Sequence, residues 1–262
     1  VIKAIVLTFL LAMTGSSFAQ EAPLRALISA DDAKAWQGVG RINMKDAGFC
    51  TGTLIAADLV LTAAHCMYHP LTGKLLEPEN ISFLAGWRNG RAVAQRTAKT
   101  VIVHKKYTPG RDVAIDKVAH DLALIRLLQP ISPNVIKGFE RRGIPRAGEN
   151  VKVVSYAENR AEAPSIEDLC HVMGEDPRAV VLTCDVDHGS SGSPIFVIED
   201  GTPKIASVVS AKAVVGGQKV ALGAMMDAPL SDLMAQLNDV RGAFQGKRPG
   251  RQSLAQQLGR VQ

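Results

Sequence analysis

Leu61-Thr62-Ala63-Ala64-His65-Cys66 is the stretch that decides how this chain is read. Two others belong with it: Asp121-Leu122-Ala123-Leu124-Ile125-Arg126-Leu127 and Gly189-Ser190-Ser191-Gly192-Ser193-Pro194. Their order is His, then Asp, then Ser. A serine hydroxyl is a weak nucleophile at neutral pH and needs an adjacent base. Imidazole suits that task, because its ordinary pKa is about 6.5. A buried carboxylate on the other ring nitrogen holds one tautomer and steadies the imidazolium. Ser191, His65 and Asp121 are therefore the candidate catalytic groups, as nucleophile, base and orienting acid. Gly189 and Ser191 are the candidate oxyanion-hole residues. Two backbone N–H groups aimed at a carbonyl oxygen stabilise the charge that develops there. A glycine at 189 leaves substrate unobstructed and tolerates unusual backbone angles.

Around these stretches the chain reads as short strands with turn signals between them, from Gly38 to about Val220. Gly52–Ile55, Leu59–Thr62, Val101–Val103, Leu122–Leu127, Val151–Ser155, Val180–Thr183, Pro194–Ile198 and Ile205–Ser210 are rich in Val, Ile and Leu. Such spacing indicates an all-β sandwich or barrel. Helical periodicity shows near the C-terminus, in Leu230, Leu233, Met234, Leu237 and Val240. Asp227 can cap that helix, Pro229 suits its first turn, and Gly242 and Gly246 are expected to break it. Gln129 to Asn134, with its two prolines, reads as a linker between halves.

Residues 1–19 read as a signal peptide: Lys3, the apolar stretch Ala4 to Met13, and a Ser17-Phe18-Ala19 cleavage site before Gln20. That stretch is too short to span a bilayer, which takes about 20 residues. A secreted or periplasmic destination is expected, and no membrane span. Four cysteines in an exported chain suggest two disulfides, and four permit three pairings. The local pairing is the expectation, Cys50 with Cys66 and Cys170 with Cys184. Metal binding is the rival, but no CxxC or HxxxH pair supports it, so neither metal nor cofactor is expected. The net charge of +5 is matched by Arg241, Lys247, Arg248, Arg251 and Arg260, in a C-terminal stretch without acids. The excess thus describes a solvated tail rather than a nucleic-acid groove.

The motifs resemble those of the trypsin-like serine peptidases, and most nearly the bacterial secreted branch that includes glutamyl endopeptidases. The resemblance covers roughly Gly38 to Leu237. Phe49-Cys50-Thr51-Gly52-Thr53-Leu54-Ile55 resembles the family's strand before the histidine loop. The resemblance implies two six-stranded antiparallel β-barrels with the site between them, followed here by a C-terminal helix. It also implies that Cys50–Cys66 clamps the histidine loop. The divisions are then 20–37 as an N-terminal extension or pro-piece, 38–130 and 131–228 as barrels, 229–241 as helix and 242–262 as basic tail. The implied activity is endopeptidase cleavage of protein or peptide substrates by a monomer. The alternatives are an inactive homologue that binds in the cell envelope, or a glutamyl-specific endopeptidase.

Departures from the family pattern lie in activation and specificity. Animal trypsins anchor a newly freed terminus on an Asp before the nucleophile, and here that position is Ser190. The oxyanion loop is expected to form without that ion pair. Asp185, six residues before Ser191, sits at the offset of trypsin's carboxylate for Arg or Lys, and Asp187 is nearby. Cys184 is displaced from the family's position, so Asp185 or Asp187 could equally brace the loop through backbone hydrogen bonds. Ser210 falls on the strand that pairs with substrate backbone. Val209 stands where glutamyl endopeptidases usually carry histidine. His69, His104, His120, His171 and His188 lack the motif context of His65.

Overall fold

The computed structural model describes residues 24–110 and 114–245. The expected leader and the tail beyond Gln245 lie outside the described residues. The segment before Gly38 forms strand β1 (Arg25–Ala26) and helix α1 (Ala30–Lys34). The first barrel contains β2 (Val39–Met44), β3 (Gly48–Ala56), β4 (Leu59–Thr62), β5 (Ile81–Ala85), β6 (Ala94–Val103) and β7 (Ala123–Leu127). It closes in the order β2-β3-β4-β7-β6-β5. Helix α2 (Ile115–Val118) precedes β7.

The second barrel contains β8 (Asn150–Ala157), β9 (Arg160–Asp176), β10 (Ala179–Leu182), β11 (Pro194–Glu199), β12 (Thr202–Val215) and β13 (Gln218–Ala224). Its order is β9-β10-β13-β12-β11-β8, and β8 pairs back onto β9. The architecture is thus two closed six-stranded antiparallel barrels, as the motifs implied. Closure pairs β8 with β9, which would otherwise be edges. Bulges in β3, β6, β8 and β12 supply the bends that closure needs.

Several strands are apolar without alternation because both of their faces are covered. In β4, Val60 points into the first barrel, while Leu59 and Leu61 point into the seam between barrels. In β7, Ala123, Ile125 and Leu127 point inward. Leu122 and Leu124 join Leu59 and Leu61 at the seam, against Val154, Tyr156, Phe196 and Val208 of the second barrel. Side chains alternate across a strand, so one apolar run fills two cores.

Both tryptophans border this seam. Trp36 packs on Phe196 (5.2 Å between ring centroids) and on Phe139 (6.4 Å). Trp87 donates its indole N–H to Ala161 O at 3.1 Å, and its own carbonyl accepts the Tyr156 hydroxyl at 2.8 Å. Residues 128–149 are stitched across the barrels: Phe139 N–H donates to Leu54 O and Arg142 N–H to Ile205 O, each at 2.9 Å.

Helix α3 (Asp227–Gln245) follows β13. Leu230, Leu233 and Leu237 are buried against the seam cluster. The helix continues through Gly242, where a break was expected. One glycine costs a helix only about 1 kcal/mol relative to alanine, which need not end it.

The segment before Gly38 is built into the fold. Arg25 and Ala26 pair with Ile166 and Ser165 of β9, and Leu27 N–H donates to Pro164 O at 2.8 Å. Leu27 is fully buried. Ser29 caps α1, accepting the Asp32 N–H at 3.0 Å. The chain then reaches Trp36 at the seam.

Candidate active site

His65 opens the 3-10 turn that follows β4, just beyond the buried Ala63 and Ala64. The Cys50–Cys66 disulfide ties this turn to β3. Asp121 lies immediately before β7, and β7 pairs with β4, so the two side chains arrive on neighbouring strand ends. The Asp121 carboxylate is buried and richly bonded. Its Oδ1 accepts the His65 backbone N–H at 2.8 Å. Its Oδ2 accepts the ring Nδ1–H at 2.7 Å and the Ser210 hydroxyl. This arrangement assigns the proton to Nδ1 and leaves the Nε2 lone pair free. His120 turns elsewhere, with Nδ1 3.1 Å from Asp116 O.

The environment of His65 has opposing effects on its pKa. Burial alone would lower it. The Asp121 carboxylate, through its charge and its hydrogen bond, outweighs burial and holds the ring above 6.5. The side chain retains 33% exposure, toward the cleft.

Ser191 reaches the same cleft from the second barrel. The cleft has a volume of about 500 Å³ and is lined by His65, Asp121, Ser191 and Ser210, among others. The Ser191 hydroxyl makes no hydrogen bond among the described residues. In sites without substrate the bond from nucleophile to base is often long and tightens on binding. Gly189 (φ +94°) and Gly192 (φ +79°) both adopt left-handed backbone angles. A Cβ on Gly192 would collide with Thr62 Oγ1 and Thr51 O, so only glycine fits. The N–H groups of Gly189 and Ser191 have no acceptor among the described residues, whereas their neighbours do: Ser190 N–H donates to Asp187 O and Gly192 N–H to Val209 O.

Thr51 is a site residue that sequence reasoning did not single out. From β3 it donates its N–H to Ser191 O and its hydroxyl to Gly189 O, both at 2.9 Å. Its hydroxyl also accepts the Tyr156 N–H at 3.0 Å. One first-barrel threonine thereby holds the candidate nucleophile loop of the second barrel. The residue sat inside a quoted motif, but its partners lie more than 100 positions away, Tyr156 at 105 and Gly189 at 138.

Both expected disulfides are present, Cys50–Cys66 and Cys170–Cys184. The second ties β9 to the approach of the nucleophile loop. Both Cys-containing groupings with His or Glu nearby use these oxidised sulfurs, which are not thiolate ligands.

The substrate-binding candidates divide. Ser210 lines the cleft, with its hydroxyl engaged by Asp121. Asp185 is exposed, lies outside the cleft lining, and donates its N–H to Glu167 Oε2 at 2.9 Å. Asp187 does line the cleft. Its Oδ1 accepts Lys212 Nζ at 3.0 Å and the His188 N–H at 2.8 Å, and these bonds, Lys212 first, hold its pKa down. Val186, Val209 and Ala211 form apolar wall beside them. Tyr107, Gly110, Ala114, Lys117 and Val118 close the first-barrel side, where the sequence offered no motif.

The trypsin family model matches residues 29–179, more than half of the chain. The chain belongs to the trypsin family. The match takes in His65 and Asp121 and ends before Ser191. Among curated relatives, trypsin-family proteins named Serine protease 56 are similar over about two thirds of this chain. The Mus musculus protein is 31% identical over 195 residues, covering 64% of this chain and 30% of its own length. The Homo sapiens protein is 32% identical over 203 residues, covering 66% and 31%. This chain therefore spans under a third of the length of those relatives.

Solved structures share the fold. A Glu endopeptidase in complex with MPD superposes with TM-score 0.64 at 21% identity, covering 77% of this chain and 90% of that one. The thermostable serine protease AL20 from an extremophilic microorganism gives TM-score 0.61 at 17% identity, covering 77% and 96%. The protease Anisep from Arthrobacter nicotinovorans gives 0.59 at 19%, covering 75% and 93%.

Proposed function

We propose that this trypsin-family chain is a serine endopeptidase that works through an acyl-enzyme. The observation that carries the reading is the double engagement of Asp121 with His65, through ring and backbone, at the wall of a cleft that also holds Ser191. Ser191 Oγ attacks the scissile carbonyl carbon while His65 Nε2 takes its proton. The tetrahedral oxyanion is met by the N–H groups of Gly189 and Ser191. His65 returns the proton to the leaving amine, and the C–N bond breaks. Water then attacks the ester with His65 again as base, releasing acid and restoring Ser191. Protein or peptide substrates follow from the family. One chain supplies every group, so a monomer suffices.

Export is supported by the two disulfides, which persist in oxidising compartments. The described helices include none long and apolar enough to cross a membrane.

The lining supports an apolar side chain before the cut more than Arg or Lys. Asp185 stands outside the cleft, Asp187 is occupied by Lys212, and Val186, Val209 and Ala211 face the space. A fluorophosphonate should label the protein at Ser191, and Ser191→Ala should abolish labelling. Folded protein that stays unlabelled would sink the peptidase reading in favour of a binding homologue. A peptide panel with Val, Leu, Ala, Arg, Lys and Glu before the cut tests the preference. Fastest turnover of the Arg or Lys members would refute it.

A further inference from the structure

Ser190, directly before the proposed nucleophile, is fully buried. Its hydroxyl accepts Arg160 Nη2–H at 3.2 Å and the Asp187 N–H at 3.4 Å, and it lies 3.3 Å from Ser155 Oγ. The same guanidinium donates through Nη1 to the Ser155 carbonyl at 3.1 Å and to the Ser155 hydroxyl at 2.9 Å. Ser155 is buried as well. Arg160 begins β9 directly after the tight turn from β8, where it pairs with Ala157. A rigid hairpin thus delivers a planar cation to the inner side of the nucleophile loop.

The charges around it match. Burial lowers the Arg160 pKa, and the carboxylates of Asp185, Asp187 and Glu167 oppose that shift without reversing it. Glu167 is buried and also holds the Asp185 N–H. Asp187 is itself paired with Lys212, so the hydrogen bonds of Arg160 to Ser190 and Ser155 are its direct hold on the loop. The Arg160 guanidinium remains protonated at any working pH.

The loop needs such an anchor. Gly189 and Gly192 both have positive φ, and such segments are intrinsically permissive. Two N–H groups must nevertheless be left unbonded and aimed. Thr51 secures the carbonyls of Gly189 and Ser191 from the first barrel. Arg160 meets the loop through the Ser190 side chain instead.

We propose that Arg160 is the positioning residue of the nucleophile loop: its guanidinium pins Ser190 to Ser155 and β8, so the loop is set without a newly released chain terminus. This rests on the reading of Ser191 as nucleophile. The contact is made inside one barrel by a mid-chain residue, so no cleavage is required to form it.

The test uses the full chain and its Arg160→Ala, Arg160→Lys and Ser190→Ala variants, with kinetics on a peptide substrate and fluorophosphonate labelling rates. Arg160→Ala should lower kcat about 10- to 100-fold, the scale set by small misplacements of reacting groups. KM should stay within about twofold, and the pH midpoint should not move. Millimolar guanidinium should restore much of the lost rate in Arg160→Ala while leaving the parent unaffected. Lys at 160 should rescue only partly, because it lacks the planar fork. A kcat for Arg160→Ala within about twofold of the parent, or a loss that guanidinium does not relieve, overturns the proposal. If Arg160→Ala does not fold, Ser190→Ala decides: a several-fold drop in labelling rate supports the proposal, and an unchanged rate overturns it. A parent chain that is itself unlabelled overturns the peptidase reading and this proposal together. An active parent with an undiminished Arg160→Ala overturns this proposal alone.

Discussion

Asp121 accepts three hydrogen bonds on two oxygens while fully enclosed, so its charge and position are both fixed. The consequence falls on His65. Only neutral imidazole can accept the Ser191 proton, and the carboxylate raises the ring's pKa. On the proposed mechanism, activity should therefore rise with pH and reach half its plateau above pH 6.5. Asp121→Asn removes the favourable charge but keeps the burial. The midpoint should then move below 6.5, and kcat should fall about 10⁴-fold. A pH–rate profile of each protein checks both signs.

Thr51→Val tests another single side chain. It removes the hydroxyl shared by Gly189 O and Tyr156 N–H while keeping the backbone bond to Ser191 O. A loss of about 1–3 kcal/mol in denaturant unfolding is expected, together with a lower kcat. His65, Asp121 and Ser191 were legible as candidates because each sits in a short local pattern, and the fold brings all three to one cleft. Thr51 and Arg160 were not, since their meaning comes from partners that only folding brings near. Asp185 was selected by counting back along the chain. The disulfide at Cys184 lies elsewhere than in trypsin, and Asp187, not Asp185, reaches the cleft.

At the scale of elements, strand composition revealed the barrels but not the N-terminal segment. Residues 20–37 lack a strong period, and the pairing of β1 with β9 depends on residues about 140 positions away. Leu27 is fully buried at that junction. Leu27→Ala should cost about 2–5 kcal/mol, measured by urea unfolding. Trimming the chain to begin near Trp36 should lower the melting temperature and bring no gain in activity. A large gain would identify the segment as an inhibitory pro-piece. Cys50–Cys66 and Cys170–Cys184 each stand to contribute about 2–4 kcal/mol. Loss of the first should reduce activity more, because it holds the turn that carries His65.

At the scale of the molecule, the seam between barrels is a third core, filled by Leu59, Leu61, Leu122 and Leu124 against Val154, Tyr156 and Phe196. Strands packed on both faces read in sequence as unbroken apolar runs. Such runs announce strands without saying which residues face which core. The family resemblance supplied the division into two barrels, and strand propensity alone left sandwich and barrel both open. Because His65 and Asp121 come from one barrel and Ser191 from the other, Leu61→Ala should impair catalysis beyond its effect on stability. Residual activity of folded variant, compared with circular dichroism at the same temperature, measures that excess.

Trp36 and Trp87 are the chain's two tryptophans; Trp36 packs on Phe196 of the second barrel, and Trp87, which follows β5 of the first, donates to Ala161 O of the second. The protein consequently carries its own optical gauge of barrel docking. Emission excited near the indole band should redden as the halves part, before either sheet melts, and should track the disappearance of turnover along a urea titration.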